Sequence, residues 1–129
     1  MKTQTATKLT TIEQRASEYV AMRIRLEQPI DFTLVYKQSA QYGWCPTVYD
    51  YRDEKIAYAG GYGYDKESTA ISQIVRFIFP EGSEQYKEIA MLAGVGADSV
   101  SGKLKEYGWQ MSRVGRSPIT TSYRVEKIT

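Results

Sequence analysis

Residues 65–80, DKESTAISQIVRFIFP, decide the fold. Asp65 or Ser68 can cap a helix, and Ile71, Ile74, Val75 and Ile78 then recur at i, i+3, i+4 and i+7 until Pro80 stops the run. A helix with one apolar stripe has to bury it against another layer, and the flanking sequence supplies that layer. Upstream, Phe32, Leu34 and Tyr36 alternate with Thr33, Val35 and Lys37, the two-residue period of a strand. Residues 47–52 form a second β-rich stretch, Asp53 and Glu54 a turn, and residues 55–59 its hairpin partner. Further upstream, Thr10 or Thr11 can cap a helix, with Gln14 three residues after Thr11 as in a capping box, and Ile12, Ala16, Tyr19, Val20 and Ile24 at helical spacing before Pro29. Downstream, a third helix starts after Gly82 and Ser83 with Tyr86, Ile89, Ala90 and Ala93 on one side, and residues 94–96 (GVG) break it. A fourth runs from about Asp98 to Tyr107, with Val100, Leu104 and Tyr107 inward and Gly108 as its C-cap. Trp109 and Met111 open a strand, residues 115–118 turn, and residues 119–128 return. The expected order is α-β-β-β-α-α-α-β-β, a single α+β domain over residues 1–129 with an antiparallel sheet and helices packed on one face. Residues 1–9 are expected to be flexible, and the C-terminal part to be winged-helix-like.

Composition narrows the function. The chain has 129 residues, no histidine and one cysteine. A nucleophile activated by an imidazole base, a His-containing zinc site, a cysteine-cluster metal site and an intrachain disulfide are therefore excluded. No metal or cofactor is expected. The polar, Thr-rich start MKTQTATKLT lacks the apolar segment of a signal peptide. The longest near-apolar stretch, residues 70–79, is interrupted by Ser72, Gln73 and Arg76, far from the ~20 apolar residues of a membrane span. A cytoplasmic protein is expected, with no membrane partner.

Net charge is +2, but its distribution is uneven. Residues 1–30 hold five basic and three acidic groups, residues 31–98 six and ten, and residues 99–129 six and two, giving +2, −4 and +4. A basic C-terminal quarter attracts phosphate or an acidic protein surface.

The segment from Ala59 to Ser68, AGGYGYDKES, places glycines directly before a helix start. Backbone N–H groups can converge there on an anion, with Lys66 nearby. The spacing fits neither the phosphate-binding P-loop nor the dinucleotide fingerprint, which would need glycine at Lys66. Residues 61–64, GYGY, match the middle of the RNA-recognition signature, but Gly60, Asp65 and Glu67 depart from its flanks. The bland alternative is a tight strand-to-helix turn. The run from Ala59 to Ala70 resembles one found in small proteins of bacteriophages and mobile elements, which often carry cysteine where Tyr62 stands here. The resemblance extends, less specifically, over residues 47–128. It implies a phage or mobile-element origin and an accessory role, and carries over no catalytic residue.

Residues 89–104, IAMLAGVGADSVSGKL, resemble the helix-turn-helix of lactose-repressor-type regulators, whose pattern is A-x-x-A-G-V-x-x-x-[ST]-V-S-x-x-L. Ala90 and Ala93 let two helices approach, Gly94 takes the turn, and Val95, Val100 and Leu104 close a small core. The resemblance implies that Ser99, Ser101, Lys103 and Lys105 lie on or near the exposed face of a recognition helix. Arg113 and Arg116 then sit at the tip of a wing. Gly96 stands where a capping serine is usual, with Asp98 able to cap instead, and Gly102 lowers helix propensity by about 1 kcal/mol relative to Ala. A purely structural αα corner is the competing reading.

Tyrosine crowds the middle of the chain. Tyr49 and Tyr51, two apart on a strand, are expected to share a face, and with Tyr62 and Tyr64 can stack bases or anchor a protein; packing on a half-buried sheet is the alternative. Cys45 reads as a small buried residue, and Asp50, Asp53 and Glu54 as a solvated turn. A non-enzymatic accessory protein is the expectation. Three partners remain open: DNA on Ser99, Ser101, Lys103, Lys105, Arg113 and Arg116; a host protein, such as a defence system, on Tyr49, Tyr51, Tyr62 and Tyr64; or an anion or nucleotide at Gly61, Gly63 and Lys66.

Overall fold

A computed structural model describes residues 9–41, 43–59 and 65–129. The first helix, α1 (Thr11–Arg25), starts at a capping box. Thr10 Oγ1 accepts from the Glu13 amide at 3.1 Å and Glu13 Oε1 from the Thr10 amide at 2.9 Å. The box sits one residue before the Thr11–Gln14 spacing, because Glu13 brings a charged acceptor to the helix N-terminus. Three strands follow, β1 (Ile30–Ser39), β2 (Gly43–Asp50) and β3 (Lys55–Tyr58). Asp65 Oδ1 accepts from the Ser68 amide at 3.0 Å and starts α2 (Lys66–Val75), which tightens into a 3-10 turn over Arg76–Ile78 before Pro80. Then come α3 (Glu84–Met91), capped by Ser83, α4 (Ala97–Glu106), and the hairpin β4 (Trp109–Arg116) and β5 (Thr120–Lys127).

The order is the one read from the sequence, and the architecture is α+β. All five strands join one antiparallel sheet in the order β3-β2-β1-β5-β4. The hairpin after α4 stands where a wing would, yet β5 also pairs along β1 from Ile30↔Val125 to Val35↔Thr120. It is an integral part of the sheet.

Alternation along β1 puts Ile30, Phe32 and Leu34 on the helix-covered face and Asp31, Thr33 and Val35 on the other. The buried cluster joins these to Ala16, Tyr19 and Val20 of α1, Ile71, Ile74 and Val75 of α2, Ile89 of α3 and Val100 and Leu104 of α4. Each such aliphatic side chain contributes about 2 kcal/mol by leaving water, so Ile71→Ala, at the centre, is the change that most directly loosens α2. After the last turn of α4, Gly108 takes φ +88°, a left-handed conformation suited to glycine. Its carbonyl accepts from the Ile128 amide at 2.8 Å, closing the hairpin against the helix end. No helix among the described residues is long and apolar enough to cross a membrane.

Candidate functional site

One end of the sheet is built differently from the rest. The Tyr36 amide donates to the Ile119 carbonyl at 2.8 Å, fixing the β4–β5 turn against β1. Within the turn the Ser117 amide donates to the Thr120 carbonyl at 2.9 Å, and the two hydroxyls pair at 2.6 Å. Arg113 faces Tyr123 across the ladder, but Gly115 faces Ser122 and Arg116 faces Thr121, so the register slips at Val114. Residues three apart on a regular strand point to opposite faces. The extra residue of this bulge turns Arg116 to the same face as Arg113, the face that carries Tyr123 and Thr121.

The two arginines line a trough made of three adjoining depressions. The first, about 540 Å³, lies between the start of α4 and β4–β5, bounded by Asp65, Glu67, Ser99, Ser101, Arg113 and Tyr123 among others. Glu67 and Arg113 also line the second, about 150 Å³, with Tyr36, Arg116 and Pro118. Tyr36 and Pro118 continue into the third, about 400 Å³, where Trp44 and Ile119 complete the wall. Shared residues make the three continuous, running from polar and acidic through basic to aromatic.

Glu67 projects from the first turn of α2 and accepts a hydrogen bond from the Tyr123 hydroxyl at its Oε2, at 2.5 Å. Burial pushes the Tyr123 phenol well above the usual tyrosine range, and the bond to Glu67 and its charge push the same way. Tyr36 is raised to about 12, chiefly by burial, with the charges of Glu67 and Asp65 adding and Arg116 opposing. Both phenols are therefore neutral hydrogen-bond donors at physiological pH. Neither Arg113 nor Arg116 forms an ion pair among the described residues, whereas Arg23, Arg52, Arg76 and Arg124 each do.

The residues expected to read DNA from α4 are divided. Successive positions on a helix are about 100° apart, so residues two apart lie about 200° apart. Lys103 and Lys105 thus occupy different sides of α4. Ser99 and Ser101 reach the trough near its N-terminus. Lys103 turns to Glu106, Nζ to Oε1 3.4 Å, and sits 6.0 Å from the Tyr107 ring centre, while Lys105 is exposed elsewhere. The α3–α4 corner has no core of its own: Ile89, Val100 and Leu104 belong to the main core, while Val95 is 60% exposed and Ala93 is exposed too. Gly94, at φ +84°, docks its amide on the Ser68 hydroxyl at 3.0 Å, which ties the turn to α2. Gly96 occupies the N-cap position of α4 without a side-chain bond, and Asp98 lies inside the first turn instead of capping it.

Lys66 does not face the trough's arginines. Its ammonium donates to the Trp44 carbonyl at 3.3 Å and to Cys45 Sγ at 3.4 Å, tying α2 to β2 beside the buried thiol. Gly61, Tyr62, Gly63 and Tyr64 lie outside the described residues. Tyr49 and Tyr51 do not share a face. The Tyr49 hydroxyl accepts from Lys37 Nζ at 2.7 Å, on the side of the sheet away from the helices, whereas the Tyr51 ring lies 5.9 Å from that of Tyr19 and 4.6 Å from the Arg23 guanidinium. The cause is Asp50, whose buried carboxylate accepts from the amides of Arg52 at 2.7 Å and Glu54 at 3.0 Å and ends β2 before Tyr51.

Tyr36, Glu67, Tyr123 and Trp44 enter the site without having been singled out for it in the sequence. The turn expected over residues 115–118 starts later, because β4 runs on to Arg116, and a glycine within a strand, here Gly115, often marks a bulge. No protein-family model, curated protein or solved structure matches the chain.

Proposed function

We propose that the chain is a non-enzymatic binding protein, an accessory of a phage or mobile element, that holds a single strand of nucleic acid in the hairpin trough. The observation that carries this reading is the bulge at Val114, which sets Arg113 and Arg116 on one face with no ion-pair partner among the described residues. Two forked guanidiniums side by side suit consecutive phosphates. Trp44, 56% exposed, and Tyr36 lie next to them as a surface for a base, and stacking of this kind adds about 1–3 kcal/mol per base. The middle depression, about 150 Å³ and lined by both arginines, is where a phosphate group would sit in this reading. Duplex recognition by α4 has less support, because its basic residues split between faces and Asp98 and Glu106 balance them.

The test is anisotropy titration of labelled single-stranded and duplex oligonucleotides between about 50 and 200 mM salt. Binding of the single strand is expected to be tighter, to weaken as salt rises, and to be lost in Arg113→Ala/Arg116→Ala. Absence of binding at low salt would sink the reading. A second reading, a protein partner such as a component of a host defence system, is favoured by the exposed Trp44, Val114 and Ile119 at the same end, 56%, 54% and 50% accessible. A partner held by these side chains is expected to stay bound at high salt and to be released by Trp44→Ala.

A further inference from the structure

We propose that the strand held in the trough is RNA, and that Glu67 recognises a ribose 2′-hydroxyl. The inference rests on the nucleic-acid reading above and names the substrate within it.

The trough's acidic residues make the distinction. A DNA backbone presents acceptors only, which satisfy Arg113 and Arg116 but leave Glu67, Asp65 and Asp98, lining the same depression, to repel the phosphates. A ribose adds a donor, and the 2′-hydroxyl is the group by which proteins distinguish the two nucleic acids. Glu67 is prepared to accept from it. Its Oε2 is held by the Tyr123 hydroxyl, and Tyr123 is itself 6% exposed, so the carboxylate is oriented from below. Its Oε1 accepts from none of the described residues.

The placement of the acceptor agrees with the chain chemistry of RNA. The 2′-oxygen and the 3′-phosphate are carried by neighbouring ribose carbons, so a 2′-hydroxyl acceptor has to lie beside a phosphate-binding cation. Glu67 and Arg113 meet this condition, since both line the first and the second depression. Arg116 follows on the same face for the phosphate, and Tyr36 and Trp44 continue the trough for the base. Stacking bases on exposed aromatic rings requires that they be unpaired, the form in which RNA sequences are most often bound. Among the groups of the sugar–phosphate backbone, the 2′-hydroxyl is the one that brings a donor to these carboxylates.

Three uridine oligonucleotides of about 12 nucleotides, identical except for 2′-hydroxyl, 2′-deoxy or 2′-O-methyl sugars, test this on the unaltered protein at low salt. The ribo-oligonucleotide is expected to bind about tenfold more tightly than either of the others, the difference made by one hydrogen bond to a charged acceptor. Equal binding of all three, or tighter binding of the deoxy form, would overturn the RNA assignment and leave the nucleic-acid reading standing. Failure of all three to bind would remove both. In Glu67→Gln, checked for unchanged thermal unfolding, both oligonucleotides are expected to gain affinity as the repelling charge goes, the ribo form less because its 2′-hydroxyl loses a charged acceptor, so that the ribo preference narrows. A preference that survives this substitution intact contradicts the role given to Glu67.

Discussion

The two ends of the β1–β5 pair use the same residue type in opposite ways. At the Asp31 end, Arg124 Nε lies 2.8 Å from Asp31 Oδ1 and an Arg23 nitrogen 3.7 Å from Oδ2. Arg23 also donates to the Pro29 carbonyl at 2.7 Å and to Gln28 Oε1 at 2.8 Å. At the Tyr36 end, Arg113 and Arg116 meet no ion-pair partner among the described residues. The lesson is that charge counted along a chain is not charge available to a partner. Of the six basic residues in the C-terminal quarter, Arg124 and Lys103 are engaged by Asp31 and Glu106, and of the other four a bulge sets Arg113 and Arg116 on one face.

If the Asp31 end is structural, breaking it costs stability and leaves binding intact. Asp31→Ala is expected to destabilise the fold by about 2 kcal/mol in urea unfolding, because Arg23, with a side chain 10% exposed, keeps its burial and loses its carboxylate. A cost near zero would erase the contrast between the ends. Deleting Val114 sharpens the other half. It leaves Arg113 and Arg116 two positions apart, still on one face of a now regular ladder, so oligonucleotide affinity is expected to change by less than about threefold. A larger fall would mean that the bulge does more than bring the two arginines to one face.

Arg113→Ala/Arg116→Ala is expected to move stability by no more than about 0.5 kcal/mol, as for exposed side chains without partners; a larger loss would reveal a structural role. The smallest effect is shared by both ends. Tyr19 and Tyr36 are raised to about 12, in each case chiefly by burial. A raised value in the folded state favours the neutral form, so this stabilisation is complete below about pH 10 and is lost as pH climbs toward about 12. Tyr36→Phe is expected to flatten the fall in the urea midpoint over that range, and an unchanged slope would count against burial as the cause.

The layers of the fold were legible because each rests on periodicity. The Ile71-Ile74-Val75 stripe and the alternation of Phe32 and Leu34 each point to one buried face, and the α+β arrangement follows. The candidate site was legible only in part. Arg113, Arg116, Ser99 and Ser101 were identified and do come to one trough, but Glu67, Tyr36 and Tyr123 arrive from α2, β1 and β5, brought in by long-range pairing that no local pattern encodes. Tyr49 and Tyr51 went astray for a local reason, since the Asp50 carboxylate ends the strand between them. Lys66 donates to the Trp44 carbonyl and to Cys45 Sγ, contacts with β2 that no local pattern encodes.

The central claim, that available charge and not counted charge directs binding, is tested most directly by two charge-matched variants. Arg113→Ala/Arg116→Ala and Lys103→Ala/Lys105→Ala each remove two positive charges. The salt dependence of single-stranded oligonucleotide affinity, as log affinity against log salt, should lose about 1.4 of its slope in the hairpin variant, two phosphates' worth of released counterions. It should stay unchanged in the helix variant. A slope that falls in the helix variant and holds in the hairpin variant would contradict the account and return the contact surface to α4.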